Sequence, residues 1–244
     1  MYENKENLFK VSVIAKTEKP QSVVYKALHQ DYSSDYIGEV ETDVSEYDSG
    51  VIAIKRLLDN NRGHWGCLEH PQISLACGYI NHGTMQQIRT HRIGLSFDCQ
   101  SMRYTSEQFL NVCDGKRDIE KVLYFRPLGF YSDRLGNKIE YTRSHRNADI
   151  QLAHILLQHY KDRLNNGFPP EFARGMIPFD YRQHFVMSGN LRAMLHLLDV
   201  RGKKDAQIEI QSLCELIFLA LKDWCPEILS WYEAKRYGKG LLAP

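Results

Sequence analysis

The chain has no apolar run approaching the roughly 20 residues needed to cross a bilayer. Its N-terminal stretch, MYENKENLFKVSVIAKTEKP, has no continuous apolar signal core. A cytoplasmic location is therefore expected, and a membrane partner is not. Excess charge is missing too. With 31 Lys and Arg against 30 Asp and Glu, the net charge is +1, too even for a general nucleic-acid coat. The six cysteines (67, 77, 99, 113, 214 and 225) contain no C-x-x-C pair, which argues against zinc-ribbon and thioredoxin-type centres. In a reducing compartment they are expected as free thiols. Neither G-x-x-x-x-G-K-[ST] nor G-x-G-x-x-G occurs, so a nucleotide cofactor would have to be held without a glycine-rich phosphate loop. The segment RGHWGCLEHP (62–71) gathers His64, Cys67, Glu69 and His70, but not as H-E-x-x-H on a helix. It reads as a structured turn carrying polar groups, and no metal is expected. Internal repeats, low-complexity tracts and linkers are also lacking, and a single domain over 1–244 is the expectation.

The chain does have patterned segments. Alternation predicts strands over 9–17 and over 71–80, the latter through Ile73, Leu75, Cys77 and Tyr79. Helical spacing appears over 21–32, over 44–63 through Val51, Ile54, Leu57 and Leu58, and over 82–92. A long amphipathic helix is predicted over 144–167, with Ile150, Ala153, Leu157, Tyr160 and Leu164 on its apolar face. Prolines then interrupt before a short helix, and helices follow over 188–201, capped by Ser188 or Asn190, and 205–229, capped by Asp205 and ended near Pro226. The aromatic-rich 122–133 fits strand and helix equally, and 105–145 carries no interpretable motif. An α+β fold with a helix-rich second half follows.

The most telling absence is local. From His70 to Phe97 there is no Asp or Glu, yet Arg89, Arg92, His70, His82 and His91 lie there, and Arg103 follows. Solvated surfaces intersperse acids with bases, so a ligand is the expected source of negative charge. The planar fork of arginine suits phosphate. On a helix over 82–92, Gln87 and His91 would be i, i+4 neighbours, and Arg89 and Arg92 i, i+3 neighbours. Ser101 and Arg103 would share a face if that stretch is extended, a reasonable phosphate grip. In the 188–201 helix, Arg192, His196 and Asp199 form a polar stripe opposite Leu191, Met194, Leu195 and Leu198; a solvated face would account for it equally. Arg201 ends that helix, where a cation complements the dipole.

RTHRIGLSFDCQSMRY (89–104), NLRAMLHLLDVR (190–201) and DAQIEI (205–210), together with GHWGCLEHPQI and EFARGMIPFDYRQHF, resemble the flavin-dependent thymidylate synthases, the ThyX family. The resemblance spans roughly 10–235 and is closest to the cyanobacterial or cyanophage-like branch. It implies an antiparallel sheet flanked by helices in a homotetramer with active sites shared between subunits. It further implies conversion of dUMP to dTMP, with methylenetetrahydrofolate as carbon donor and NADPH-reduced FAD as hydride donor, and without an enzyme cysteine as nucleophile. Carried over residue by residue, FAD would be contacted by His64, Arg89 or Thr90, His91, Arg92, Asn190, Leu191, Arg192 and His196. dUMP would be contacted by Gln86 or Gln87, Arg89, Cys99, Gln100, Ser101, Met102, Arg103, Arg174 and Arg201, with Arg201 as the catalytic residue that polarises the pyrimidine. The family signature is Arg-His-Arg, seven residues, then Ser. Here eight residues separate Arg92 from Ser101. Either Thr90 takes the first place of the signature, or Arg89 takes it through a one-residue shift that also exchanges Gln86 for Gln87. Cys99 stands where a glutamate is common. Two other readings use the same residues. One is a non-catalytic nucleotide or nucleic-acid binder built on 86–103. The other is a Cys-His hydrolase built on Cys67 or Cys99.

Overall fold

A computed structural model describes residues 1–133 and 135–241, the side chain of Asn61 excepted. Its first strands are β1 (Tyr2–Glu3) and β2 (Lys10–Lys16), followed by helices α1 (Pro20–Tyr32) and α2 (Glu46–Ala53). Pro20 opens α1 at a position where its missing N–H costs nothing. Ser45 caps α2 by accepting from the Asp48 N–H. The single helix expected over 44–63 is three pieces: α2, a π turn over Ile54–Leu58 and a 3₁₀ turn over Asp59–Asn61. Asn60, at φ +59, ends the run.

β3 (Gln72–Asn81) and α3 (His82–Ile88) come next. β3 buries Ile73, Leu75 and Cys77 as its alternation requires. A bulge then intervenes between Cys77 and Ile80, with Tyr79 at φ +61. The Tyr79 N–H donates to His184 Nδ1 at 3.0 Å, and its carbonyl accepts from Arg182 at 2.7 Å. Bulges re-aim a strand. This one turns Ile80 and Asn81 inward and Tyr79 outward, so the simple alternation expected through Tyr79 fails there.

β4 (Leu95–Cys99), α4 (Met102–Thr105) and α5 (Glu107–Cys113) lead to the hairpin β5 (Gly129–Ser132) and β6 (Lys138–Tyr141). α6 (Arg143–Asn165) is the long amphipathic helix. It is opened by Thr142 in a reciprocal capping box with His145, and it buries Ala153, Leu157 and Tyr160. α7 (Pro170–Ala173) precedes β7 (Arg182–Asn190), α8 (Leu191–Arg201), α9 (Ile208–Trp224) and α10 (Pro226–Lys235).

The sheet is antiparallel in the order β1-β2-β3-β7-β4, so a strand from late in the chain lies inside it, between β3 and the β4 edge. One apolar core packs α8, α9 and α10 against this sheet, with Leu195, Leu198, Ile210, Ile217 and Leu221 at or near zero exposure. A second core joins α5 and α6 through Phe109, Val112, Leu157 and Tyr160. The α+β class holds, with the second half rich in helix. The helix expected over 205–229 is corrected. It begins at Ile208 and breaks at Cys225 before α10 restarts on Pro226. Asp205 does not cap it but pairs with Lys203 at 3.3 Å. Among the described residues, no helix is long and apolar enough to cross a membrane.

Candidate functional site

β7 runs directly into α8, and Asn190 serves both. Its side chain accepts from the Ala193 N–H at 2.8 Å, so Asn190, not Ser188, is the cap. Ser188 lies inside β7, where its hydroxyl meets that of Ser74 at 2.8 Å. β4 pairs Leu95 with Gly189, which drapes the 89–94 turn across the start of α8. Gly94 sits at φ +69, and a Cβ there would lie 2.8 Å from Ala193 Cβ and 3.0 Å from Asn190 Nδ2. Only glycine permits both the backbone conformation and the approach. The result is a cleft of about 340 Å³ lined by Glu69, Ile93, Gly94, Asn190, Arg192 and His196. Arg192 reaches Glu69 at 2.5 Å, so it is not one of the arginines left for an external anion alone.

The segment after α3 closes the other end of α8. α3 stops at Ile88, and Thr90 and His91 lie in a turn, with backbone N–H groups donating to the carbonyls of Gln87 and Ile88. The i, i+4 and i, i+3 spacings expected on a helix reaching 92 therefore do not apply. The turn instead places His91 and Thr90 on Arg201. The Arg201 Nε donates to His91 Nε2 at 2.9 Å, and a terminal nitrogen donates to Thr90 Oγ1 at 3.3 Å. The His91 and His196 rings lie 6.3 Å apart. Burial first, then the Arg201 and His196 charges, holds the His91 imidazole below its ordinary value. Asp199, expected on the polar stripe, is 2% exposed and faces the core, bound to Tyr232 and Arg236.

Among the described residues, Arg89, Arg92, Arg103 and Arg174 form no ion pair with a carboxylate, and all four are exposed. Each is therefore available to an external anion. Ser101 is not in an extended stretch shared with Arg103. β4 ends at Cys99, and Ser101 is the residue that precedes α4, with no hydrogen bond from its side chain to the helix. Arg103 is on α4, its guanidinium 5.6 Å from the Tyr104 ring. α4 packs on α7, and Arg174 directly follows α7. Gln100 bridges to His184, donating its N–H at 3.0 Å and accepting at 3.2 Å through its side chain. Cys99 and Met102 turn inward, Cys99 donating to Met85 Sδ at 3.7 Å and Met102 lying 7% exposed. The Met102 side chain is therefore a poor candidate for nucleotide contact, whereas half-buried Cys99 still borders a surface cleft with Gln100 and His184. Leu191 is wholly buried and contributes only backbone at the start of α8.

His64 is not brought to this cleft. It lines a separate one of about 580 Å³ with Lys26, Asp31, Cys67 and His70. The Gly66–Glu69 turn forms the wall between the two, since Glu69 faces the first and His70 the second. The partners of several residues beside the site carried no sequence signal. His82 stacks on Tyr181 at 4.7 Å and meets Gln183 and Gln86 at 3.0 Å each. Gln87 donates to Gln207 at the start of α9. The acid-free run singled out His82, but Tyr181 and Gln183 lie about a hundred residues away and no local pattern announces them.

The cysteines do not suit nucleophilic catalysis. Burial and Asp31 push the Cys67 thiol up to about 11, and burial raises Cys99 as well. Thiolate is the attacking form, and the Cys67 and Cys99 thiols donate to Asp31 and to Met85 Sδ, not to a histidine, which disfavours the Cys-His hydrolase reading.

An antiparallel sheet flanked by helices, with a capped helix leading out of β7 beside a basic turn, is a fold that recurs among solved structures. The chain superposes on the UMP/dUMP methylase PolB from Streptomyces cacaoi, bound with 5-Br dUMP, with a TM-score of 0.76 at 18% identity, covering 98% of this chain and 99% of that one. It superposes on thymidylate synthase X from Helicobacter pylori, with FAD and dUMP, with a TM-score of 0.66 at 19% identity, covering 91% and 97%. Residues 12–227 match the family model described as thymidylate synthase complementing protein. The flavin-dependent thymidylate synthase of Haloarcula marismortui is 32% identical over 96% of this chain and 99% of its own length. That of Halobacterium salinarum is 30% identical over 96% and 100%. The chain belongs to the thymidylate synthase complementing protein family, the flavin-dependent thymidylate synthases.

Proposed function

We propose that this chain methylates dUMP to dTMP reductively, in the cytoplasm, with methylenetetrahydrofolate and NADPH as co-substrates and FAD as cofactor. The observation that carries the reading is the placement of Arg201: a guanidinium gripped from behind by His91 and Thr90, on the same helix whose start lines the Asn190–Arg192 cleft.

The residues present suit FAD. Gly94 lets the turn close onto Asn190 and Ala193 at the mouth of the cleft, the first N–H groups of α8 form a positive helix end, and Arg92, Arg192 and His196 supply donors. Bound there, a reduced flavin supplies hydride. Arg89 fits the first place of the signature, since Thr90 is occupied with Arg201 and Gln87. The dUMP phosphate is assigned to Ser101, Arg103 and Arg174. Arg201 stabilises the negative charge that gathers on a pyrimidine carbonyl oxygen once hydride has added at C6, giving the enolate from which C5 acts as nucleophile, because a guanidinium stays protonated while donating. No thiol is required. The cleft in one chain is smaller than a dinucleotide needs, and Ile93, Tyr104, Phe172 and Phe179 near the site are 94%, 81%, 67% and 66% exposed. These features support a homotetramer whose copies complete each other's sites.

The test is direct. Purified protein should carry or take up FAD, show a flavin spectrum, and form dTMP from dUMP. Arg201→Ala should remain folded and flavin-bound while losing about 10²–10³ in turnover, the scale of one charge-stabilising donor. A colourless protein that cannot be reconstituted with FAD, or full activity in Arg201→Ala, would overturn the reading. Steeply salt-dependent nucleic-acid binding without flavin would favour the non-catalytic alternative.

A further inference from the structure

Thr90 is the residue by which this chain departs from the Arg-His-Arg signature, and the structure gives that departure a use. We propose that Thr90 and His91 form a clasp that orients Arg201 toward the pyrimidine. The inference rests on the dUMP reading above.

A guanidinium has two usable edges, one containing Nε and one made of the two terminal nitrogens. In Arg201 the Nε edge is taken. His91 Nε2 accepts from Nε, and Thr90 Oγ1 accepts from a terminal nitrogen. Among the described residues, no hydrogen bond reaches the remaining terminal nitrogen, so a pair of parallel donors is left for a ligand. Both acceptors are themselves fixed. The Thr90 hydroxyl donates to the Gln87 carbonyl at 2.7 Å, which turns its lone pairs away from that carbonyl. His91 must keep Nε2 unprotonated to accept, so its proton resides on Nδ1. The Gln87 backbone is anchored in turn, because the Gln87 side chain holds Gln207 at the start of α9. The clasp thus ties the end of α3 to both ends of the α8–α9 connection. Its product is a planar, two-donor edge held at a set angle, which matches a pyrimidine carbonyl oxygen and the two lone pairs it offers. An arginine free to swing would bind the ground state as well but would lose the directional gain in the transition state. Thr90 and His91 are positioning residues here, and Arg201 touches substrate.

The experiment compares Thr90→Val, which keeps shape and removes the acceptor, with Thr90→Ser, which keeps it. kcat, KM for dUMP, flavin affinity and melting temperature are measured in the wild-type and Arg201→Lys backgrounds. Thr90→Val should lower kcat/KM by about three- to tenfold, the range for losing a partly exposed hydrogen bond to a charged group. Thr90→Ser should stay within about twofold, with flavin affinity and melting temperature unchanged in both. In Arg201→Lys, which cannot present two fixed edges, Thr90→Val should cost nothing further. Equal losses in Thr90→Val and Thr90→Ser, or the same loss in both backgrounds, would overturn the proposal. Nitrogen chemical shifts of His91 read the clasp apart from turnover. Its Nε2 resonance should move in Arg201→Lys, and an unmoved resonance refutes the clasp even if dTMP forms. A protein that makes no dTMP but shows the shift would retain the clasp and lose its pyrimidine partner.

Discussion

Replacing Asp199 by Asn probes the framework behind the site. The carboxylate has no solvent exposure, accepts from the Tyr232 hydroxyl at 2.7 Å and faces an Arg236 terminal nitrogen at 3.1 Å. Arg236 is itself 12% exposed at its side chain, lies 5.2 Å over the Trp65 ring, and has a buried Nε without a hydrogen-bond partner. Asn preserves volume and an acceptor for Tyr232 but removes the charge opposite Arg236. Leaving a buried charge unpaired costs about 3–5 kcal/mol. The Leu241 carbonyl at 3.1 Å and the Trp65 face remain to Arg236, which puts Asp199→Asn near the lower end, about 3 kcal/mol. With a denaturant slope of about 3 kcal/mol per molar, the urea midpoint should fall by about 1 M. Circular dichroism and tryptophan fluorescence follow the transition, the latter sensitive to Trp65. Arg236→Gln alone should cost a comparable amount, and the double variant distinctly less than the sum, because it removes both buried charges together. A midpoint shift below about 0.3 M, or additive losses, would refute the account of a desolvated pair held on the back of α8.

Two further outcomes follow from the site. His91 protonates only below the ordinary imidazole value of 6.5, because burial, Arg201 and His196 oppose its charge. With the folded value depressed, the unfolded chain binds the extra proton first, so any contribution of His91 to stability falls as pH drops through 6.5 and below. Turnover should show an acid limb centred below 6.5, read by a kcat/KM–pH profile together with an NMR titration of His91. Gly94→Ala should cost about 1–2 kcal/mol from its left-handed backbone and weaken flavin binding, since its Cβ would press on Ala193 and the Asn190 cap. Flavin titration and thermal melting separate the two effects.

Much of the fold was legible in local pattern. β2, α1, the first part of β3, α6 and α8 appear where periodicity placed them, because each buries one face and solvates the other. β7 was not legible, although it is the interior strand that joins β4 to the rest of the sheet. Its first two residues, Arg182 and Gln183, are buried and polar, which hides the alternation of Phe185, Met187 and Gly189. Arg182 is tolerated there because it donates to the carbonyls of Asn7, Tyr79 and Glu120, partners scattered along the chain. The β5–β6 hairpin was hidden by its exposure, with Phe130 and Ile139 at 73% and 58%. At the site, the acid-free segment pointed correctly to unpaired arginines. It did not separate Arg201, seen as a helix-end cation, from its use. That distinction lies in a turn whose geometry depends on Gly94 and on α8, far apart in sequence.

The position of β7 also decides when the molecule can exist. Its register pairs Gln72 with Asn190 and Leu95 with Gly189, and β4 has no other partner in the sheet. On a ribosome adding about 5–20 residues per second, the stretch from the end of β3 to the end of β7 takes roughly 5–20 s to emerge. During that interval the β2–β3 pair presents an open edge, and the 89–104 segment has nothing to rest on. Such edges invite pairing with other chains. Sheet closure, the Asn190 cap and the seat for Arg201 then arrive together within a few residues of synthesis. A chain that terminates before β7 therefore keeps only the β1–β2–β3 part of the sheet and has no site, and the time of greatest exposure to aggregation is set by translation rather than by the stability of the finished fold.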